Sequence, residues 1–195
     1  MTLRRWLSVL SKGIARGVYP HQLWWMLELG WRRAILSPAQ LSQRLQLRRG
    51  MSVLELGAGS GYYSRHVVEQ LRAGRLVLLD LQVEMLSRNR ARCDDKSVAS
   101  VLFIAGDATN VPLVDASVDL VFMVAVFGEI PNQAACLSEI ARVLRPEGIL
   151  SISEHLPDPD FCRFSSLCDK LEQAGFVLTE RRGPPWAYTA SFRRG

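Results

Sequence analysis

From residue 51 onward, short apolar runs rich in Val, Ile, Leu and Phe alternate with stretches of helical periodicity. That alternation is the pattern of βαβ units on a mostly parallel sheet. It predicts strands over Met51–Leu56, Arg75–Asp80, Ser100–Ala105, Val118–Val124, Gly148–Glu154, Phe176–Arg181 and Ala187–Phe192. Helices are predicted at about Tyr62–Leu71, Val83–Cys93, Asn132–Leu144 and Asp160–Ala174, with room for one helical turn in the Asp107–Val114 link. Only Arg182-Gly183-Pro184-Pro185-Trp186 separates the last two strands, too few residues for a parallel crossover. The expectation is an α/β, doubly wound seven-stranded sheet, mostly parallel and closed by an antiparallel C-terminal hairpin. Ser37-Pro38 reads as an N-cap followed by proline at the first helical position, opening a helix to about Leu47.

Charge divides the chain differently. Residues 1–50 hold nine Lys or Arg against one acid, Glu28, so they carry +8 while the whole chain carries +5. Within residues 3–16, Leu3, Trp6, Leu7, Leu10 and Ile14 share one helical face, opposite Arg4, Arg5, Lys12 and Arg16. The division expected is a basic amphipathic N-terminal helical segment over 1–36 and a single α/β domain over 37–195. Such a segment suits an anionic membrane surface through residues 1–35, with Trp6, Trp24, Trp25 and Trp31 at headgroup level. A dimer arm or a lid is the competing reading. No uncharged apolar run approaches the length of a spanning helix, and Lys12 interrupts the first apolar stretch too early for a secretory leader. A cytoplasmic location is expected, with membrane association left open. Cys93, Cys136, Cys162 and Cys168 lack C-x-x-C spacing, so neither a zinc site nor a disulfide framework is expected.

The chemistry-bearing stretch is Val53-Leu54-Glu55-Leu56-Gly57-Ala58-Gly59-Ser60-Gly61-Tyr62-Tyr63-Ser64. It is a strand ending in a glycine turn that opens a helix, where a ligand can lie against backbone N–H groups. The spacing is G-x-G-x-G, not the G-x-G-x-x-G of a dinucleotide site. Glu55, two residues before the first glycine, would repel a pyrophosphate and suits a cationic ligand.

With these residues the chain resembles the class I S-adenosylmethionine (SAM)-dependent methyltransferases, and within them the ubiquinone/menaquinone-type small-molecule group. The resemblance covers about residues 50–154 and, more weakly, the terminal hairpin. It implies a Rossmann-like fold and SAM as cofactor, with S-adenosylhomocysteine (SAH) as product and no metal. Glu55, Gly57, Ala58, Gly59 and Gly61 match the first family motif, around the amino-acid end of SAM. Asp80, which closes Leu78-Leu79-Asp80 and is followed by Leu81, matches the carboxylate that accepts the ribose hydroxyls. Asp107 and Ala108, in Gly106-Asp107-Ala108, match the adenine side. Ser117-Val118-Asp119-Leu120 and Val143-Leu144-Arg145-Pro146-Glu147-Gly148 are architectural, Pro146 and Gly148 stopping a helix and reversing the chain while Arg145 caps helix carbonyls.

Acceptor contacts are expected just beyond the carboxyl ends of strands four and five. Glu129 and His155 are the candidates to take a proton from an N or O nucleophile. Phe127, Glu154 and Tyr188 are candidates to line the acceptor, and Tyr19 and His21 to close over it. The acceptor expected is a small hydrophobic molecule: a quinol, lipid amine, thiol or phenol. Nucleic acid is not expected, because Phe127-Gly128-Glu129-Ile130-Pro131 is not the Asn/Asp-Pro-Pro-Tyr/Phe motif that holds a flipped base. A non-catalytic SAM-binding protein and, further off, a nicotinamide-dependent oxidoreductase stay open, as does a homodimer.

Overall fold

The computed structural model describes residues 35–93 and 100–195. The helix expected over residues 3–16, together with Tyr19 and His21, lies outside the described residues. The described elements run α1 (Pro38–Leu45), β1 (Ser52–Leu56), α2 (Ser64–Leu71), β2 (Arg75–Asp80), α3 (Val83–Cys93), β3 (Ser100–Ala105), β4 (Val118–Val124), a 3-10 turn (Phe127–Glu129), α4 (Gln133–Val143), β5 (Leu144–His155), α5 (Phe164–Gln173), β6 (Phe176–Arg182) and β7 (Ala187–Arg194). They form one seven-stranded sheet in the order β3-β2-β1-β4-β5-β7-β6. The neighbours from β3 to β5 pair in parallel, and β7 is antiparallel to both β5 and β6.

All five residues of β1 are buried, because helices cover both faces of the sheet. On one face Val53, Leu76, Leu78, Leu120 and Phe122 pack with residues of α1, α2 and α3. On the other, Leu54, Val77, Val121, Met123, Leu150 and Ile152 pack against α4 and α5. Helix α1 starts where expected: Ser37 Oγ accepts the Gln40 N–H at 3.2 Å and Gln40 Oε1 accepts the Ser37 N–H at 2.9 Å, a reciprocal capping box. It ends at Leu45 because Gln46 turns left-handed, short of the expected Leu47.

Two expectations need correction. Strand β5 starts at Leu144, not Gly148, so Pro146 and Gly148 lie inside the strand. The pairing passes from Val118↔Leu144 to Leu120↔Ile149, a bulge that accommodates a proline with no N–H to give. Arg145 pairs with Asp119 and is not a helix cap. The Asp107–Val114 link forms turns without a helix, and Arg142 of α4 takes over its organisation. Its guanidinium donates to the carbonyls of Val111 (2.8 Å) and Leu113 (2.7 Å), to Asp115 (2.7 Å) and to both oxygens of Glu139 (2.8 Å each), while Glu139 also accepts the Val111 N–H. Arg142→Ala should lower stability by about 2 kcal/mol, since it strips donors from several acceptors at once. Urea unfolding measures this, and a loss under ~0.5 kcal/mol would show that the link holds itself.

Candidate cofactor and acceptor site

The carboxyl ends of β1, β2, β4 and β5 meet at one edge of the sheet, where open α/β folds bind ligands. At the end of β1 the chain makes the glycine turn with φ of 67° at Gly57, 53° at Gly59 and 88° at Gly61, a region that favours glycine. A Cβ on Gly57 would collide with the Val126 side chain, and one on Gly61 would lie 2.5 Å from Asn89 Oδ1. At Gly59 the nearest atom would be a backbone oxygen at 4.0 Å. The turn is thus wedged on two sides and open at its middle.

Four of its five N–H groups, those of Gly57, Ala58, Gly59 and Gly61, are spent within the protein, which corrects the expectation that they face a ligand. Gly57 and Ala58 both donate to the Leu79 carbonyl (2.8 and 3.2 Å), and Gly61 donates to Ala58 (3.3 Å). Gly59 donates to Asp80 Oδ2 at 2.8 Å, while Asp80 Oδ1 accepts the Gln82 N–H at 2.8 Å. Burial pushes the Asp80 carboxyl above the usual aspartate range, against the pull of these two N–H groups.

Beneath the turn lies Glu55, 4% exposed, accepting the Ser64 hydroxyl at 2.7 Å. Burial raises its pKa to about 8, with Ser64 pulling the other way and nearby Asp80 adding to the rise. Asn89 completes the support: its amide donates to the Ala58 and Gly59 carbonyls (3.3 and 3.4 Å) and to Ser64 Oγ (3.0 Å). Asn89, Ser64 and Val126 were not singled out from the sequence. The signal for Asn89 was an amide on the same face of α3 as Met85, Leu86 and Cys93, all buried.

These features fit SAM. Two buried carboxyls under a turn whose N–H groups are already engaged make a poor anion site and a good one for a ligand carrying a sulfonium and an ammonium. Each Asp80 oxygen keeps acceptor capacity beyond its one N–H, and the bare centre at Gly59 leaves room for close approach. Leu81, 55% exposed, follows Asp80 at the same edge. Asp107 is exposed at the end of β3, where Oδ1 caps the Thr109 N–H at 2.8 Å, with Ala108 half-buried beside it.

A family model described as a methyltransferase domain matches residues 54–152. The chain belongs to this methyltransferase family. Among relatives of the methyltransferase, the malonyl-[acyl-carrier protein] O-methyltransferase of Yersinia pestis is 35% identical over 116 residues, 58% of this chain and 40% of that protein. The demethylmenaquinone methyltransferase of Beutenbergia cavernae is 33% identical over 129 residues, 66% of this chain and 48% of that one. The ubiquinone/menaquinone biosynthesis C-methyltransferase UbiE of Roseobacter denitrificans is 29% identical over 155 residues, 78% and 54%. The chain therefore spans only about half the length of these relatives, or less. Its fold matches a SAM-dependent methyltransferase from Aquifex aeolicus with a TM-score of 0.82 at 21% identity, covering 91% of this chain and all of that one.

At the end of the sheet where acceptor contacts are expected, β4 leads through Ala125, at φ 54°, into the turn that carries Glu129. Phe127 and Tyr188 lie wholly inside the core, where Tyr188 donates its hydroxyl to the Cys162 carbonyl at 2.6 Å and Phe161 and Phe164 pack edge-on to its ring. Successive residues of β5 face opposite sides. Glu154 joins the Leu150 and Ile152 face, and His155 the Ser153 face, where Ser153 and Thr189 hydroxyls meet at 2.9 Å. Both are 2% exposed. The sequence candidates Glu129 and His155 are thus split, Glu129 acting on Glu154 and His155 lying on the other side of the strand.

Proposed function

We propose that the protein transfers a methyl group from SAM to a small hydrophobic acceptor. The observation that carries this reading is the glycine turn with its N–H groups engaged and Glu55 and Asp80 buried beneath it. SAM, when bound, supplies an electrophilic methyl on a sulfonium. The chain's part is to hold and orient it: Glu55 faces the amino-acid end, Asp80 accepts the ribose hydroxyls, and Leu81, Asp107 and Ala108 flank the adenine. Displacement at such a methyl needs a positioned nucleophile and exclusion of water more than a strong base. Glu129, or His155 from the far face of β5, takes the acceptor's proton.

An apolar acceptor is supported by Leu156 and Trp186, 47% and 59% exposed and joined by a 2.9 Å hydrogen bond from the Leu156 N–H to the Trp186 carbonyl, at the edge where β5 ends. The acceptor classes that fit are a quinol, a lipid amine, a thiol and a phenol, and the relatives named for demethylmenaquinone and for ubiquinone/menaquinone biosynthesis keep a quinol among them. In this reading residues 37–195 bind SAM, and the basic residues 1–35 bring a cytoplasmic enzyme to an anionic membrane surface. Among the described residues no helix is long and apolar enough to cross one.

The test is a screen with labelled SAM over quinols, phospholipid amines, thiols and phenols, with and without anionic vesicles, alongside titration of SAH and NADH by calorimetry. Saturable SAH binding with transfer to one class is expected; NADH binding without SAH binding would overturn the reading. Asp80→Ala should weaken SAH at least tenfold, as loss of a charged acceptor of two hydroxyls implies. Unchanged affinity in a folded variant would place the ribose elsewhere.

A further inference from the structure

Glu154 occupies an inward-facing position of β5 that an aliphatic residue would fill at less cost, since burying a carboxyl is expensive unless it is paired. Its pairing is meagre. Oε2 accepts one N–H, from Cys162, at a long 3.4 Å, and Oε1 is buried without any partner. Among the described residues no Lys or Arg pairs with it. Lys170, on the same side, donates to Gln133 Oε1 at 2.8 Å, and Arg181 lies over the Phe164 ring at 4.4 Å. Tyr188, directly across the β5–β7 ladder, gives its hydroxyl to Cys162 instead. Among the described residues the charged groups that act on Glu154 are acids: Asp158 and Asp160 from the loop after β5, and Glu129 from the turn after β4. These two segments are in contact, since a Cβ on Gly128 would collide with the Asp160 carbonyl.

A buried, unused oxygen in the field of three acids from two contacting segments is a mismatch for the fold by itself and a match for an incoming N–H bearing positive charge. It lies at the carboxyl end of β5, where the acceptor is expected. We propose that Glu154 Oε1 anchors a cationic nitrogen of the acceptor, so that the acceptor is an amphipathic amine. Its apolar part lies toward Leu156 and Trp186, and its ammonium toward Glu154 with Glu129, Asp158 and Asp160 around it. Among the described residues these carboxyls do not form a group that could hold a metal ion, which favours an organic cation. The proposal rests on the methyltransferase reading and narrows it to amines.

The test uses the full chain saturated with SAH, with phenethylamine as the cationic probe and 2-phenylethanol as its neutral counterpart. Phenethylamine should bind at least tenfold more tightly at pH 7 and move the Glu154 13Cδ resonance of 13C-glutamate-labelled protein toward its carboxylate position. Glu154→Gln, which mimics the protonated side chain, should lose at least tenfold in phenethylamine affinity with SAH affinity unchanged. The pair Glu129→Gln, at a half-buried position, and Asp160→Asn, at an exposed one, should weaken the amine several-fold in a protein that folds normally. Equal affinity for the two probes, or a Glu154 resonance indifferent to saturating amine, overturns the proposal whether or not the Gln variant folds. In that event continued SAH binding leaves the methyltransferase reading standing, whereas failure to bind SAH brings down that reading as well.

Discussion

The ligand-free protein should lose stability steadily as the pH is raised from about 5 to 8. Glu55 and Glu154 each titrate at about 8 in the folded chain, chiefly through burial, against an ordinary value of 4.5. Between those values the folded state holds a proton on each that the unfolded chain has released, so unfolding releases protons and is favoured by rising pH. The stability from these protonated carboxyls is fully present below pH 4.5 and is lost as pH rises through 8. Each group can contribute a slope of up to ~1.4 kcal/mol per pH unit, and Asp80, also raised by burial, acts in the same direction. Glu139, held low by Arg142, acts below that window. Urea midpoints at pH 5, 6, 7 and 8 measure the slope. Glu55→Gln and Glu154→Gln should each flatten it, and together remove most of it. SAH should restore stability at pH 8 in the wild type, since an ammonium beside Glu55 favours the carboxylate. Stability that is flat or rising across the window would mean that these carboxyls ionise freely.

Strands β2, β3 and β4 fall where the apolar runs ended, because turn residues bound each run. Strand β5 starts before the expected Gly148 for a local reason: Pro146 and Gly148 are helix stops in most contexts, whereas here Leu144 pairs with Val118 and the bulge before Leu120↔Ile149 takes up the residues between. Helix α2 begins at Ser64 and not Tyr62, with Tyr63 as its N-cap. Within the site, the glycines and Glu55 stand out by their spacing, and Asp80 by the resemblance to the family. The destination of the turn's N–H groups was not legible, because it depends on Leu79 and Asp80 arriving beside β1 through the Leu56↔Leu79 register. Glu129 and His155 are paired in the sequence as proton acceptors, although the two-residue period of β5 sends His155 to the face opposite Glu154. What made Glu154 exceptional, its unpartnered oxygen and acidic surroundings, comes from loops that pack together only in three dimensions.

Two alanine substitutions two positions apart in the glycine turn should fail in different ways. Gly57→Ala places a methyl group at φ 67° and drives it into the Val126 side chain. Left-handed backbone costs a non-glycine residue on the order of 1 kcal/mol, and overpacking typically costs a further 1–3 kcal/mol. The loss expected is therefore about 2–4 kcal/mol, together with the two hydrogen bonds that tie the turn to Leu79. Gly59→Ala meets no neighbour closer than 4.0 Å, so it should cost only the backbone term of about 1 kcal/mol. Its methyl group instead enters the open centre of the turn, and SAH affinity should fall by about a hundredfold, roughly 2.7 kcal/mol. Adding Val126→Ala to Gly57→Ala should recover part of the lost stability by removing the colliding methyls; added to Gly59→Ala it should recover neither stability nor SAH affinity. Urea unfolding and calorimetric SAH titration on the four variants separate the two effects. If Gly59→Ala binds SAH as the wild type does, the cofactor does not lie against this turn, and the assignment of Glu55 to its amino-acid end falls too.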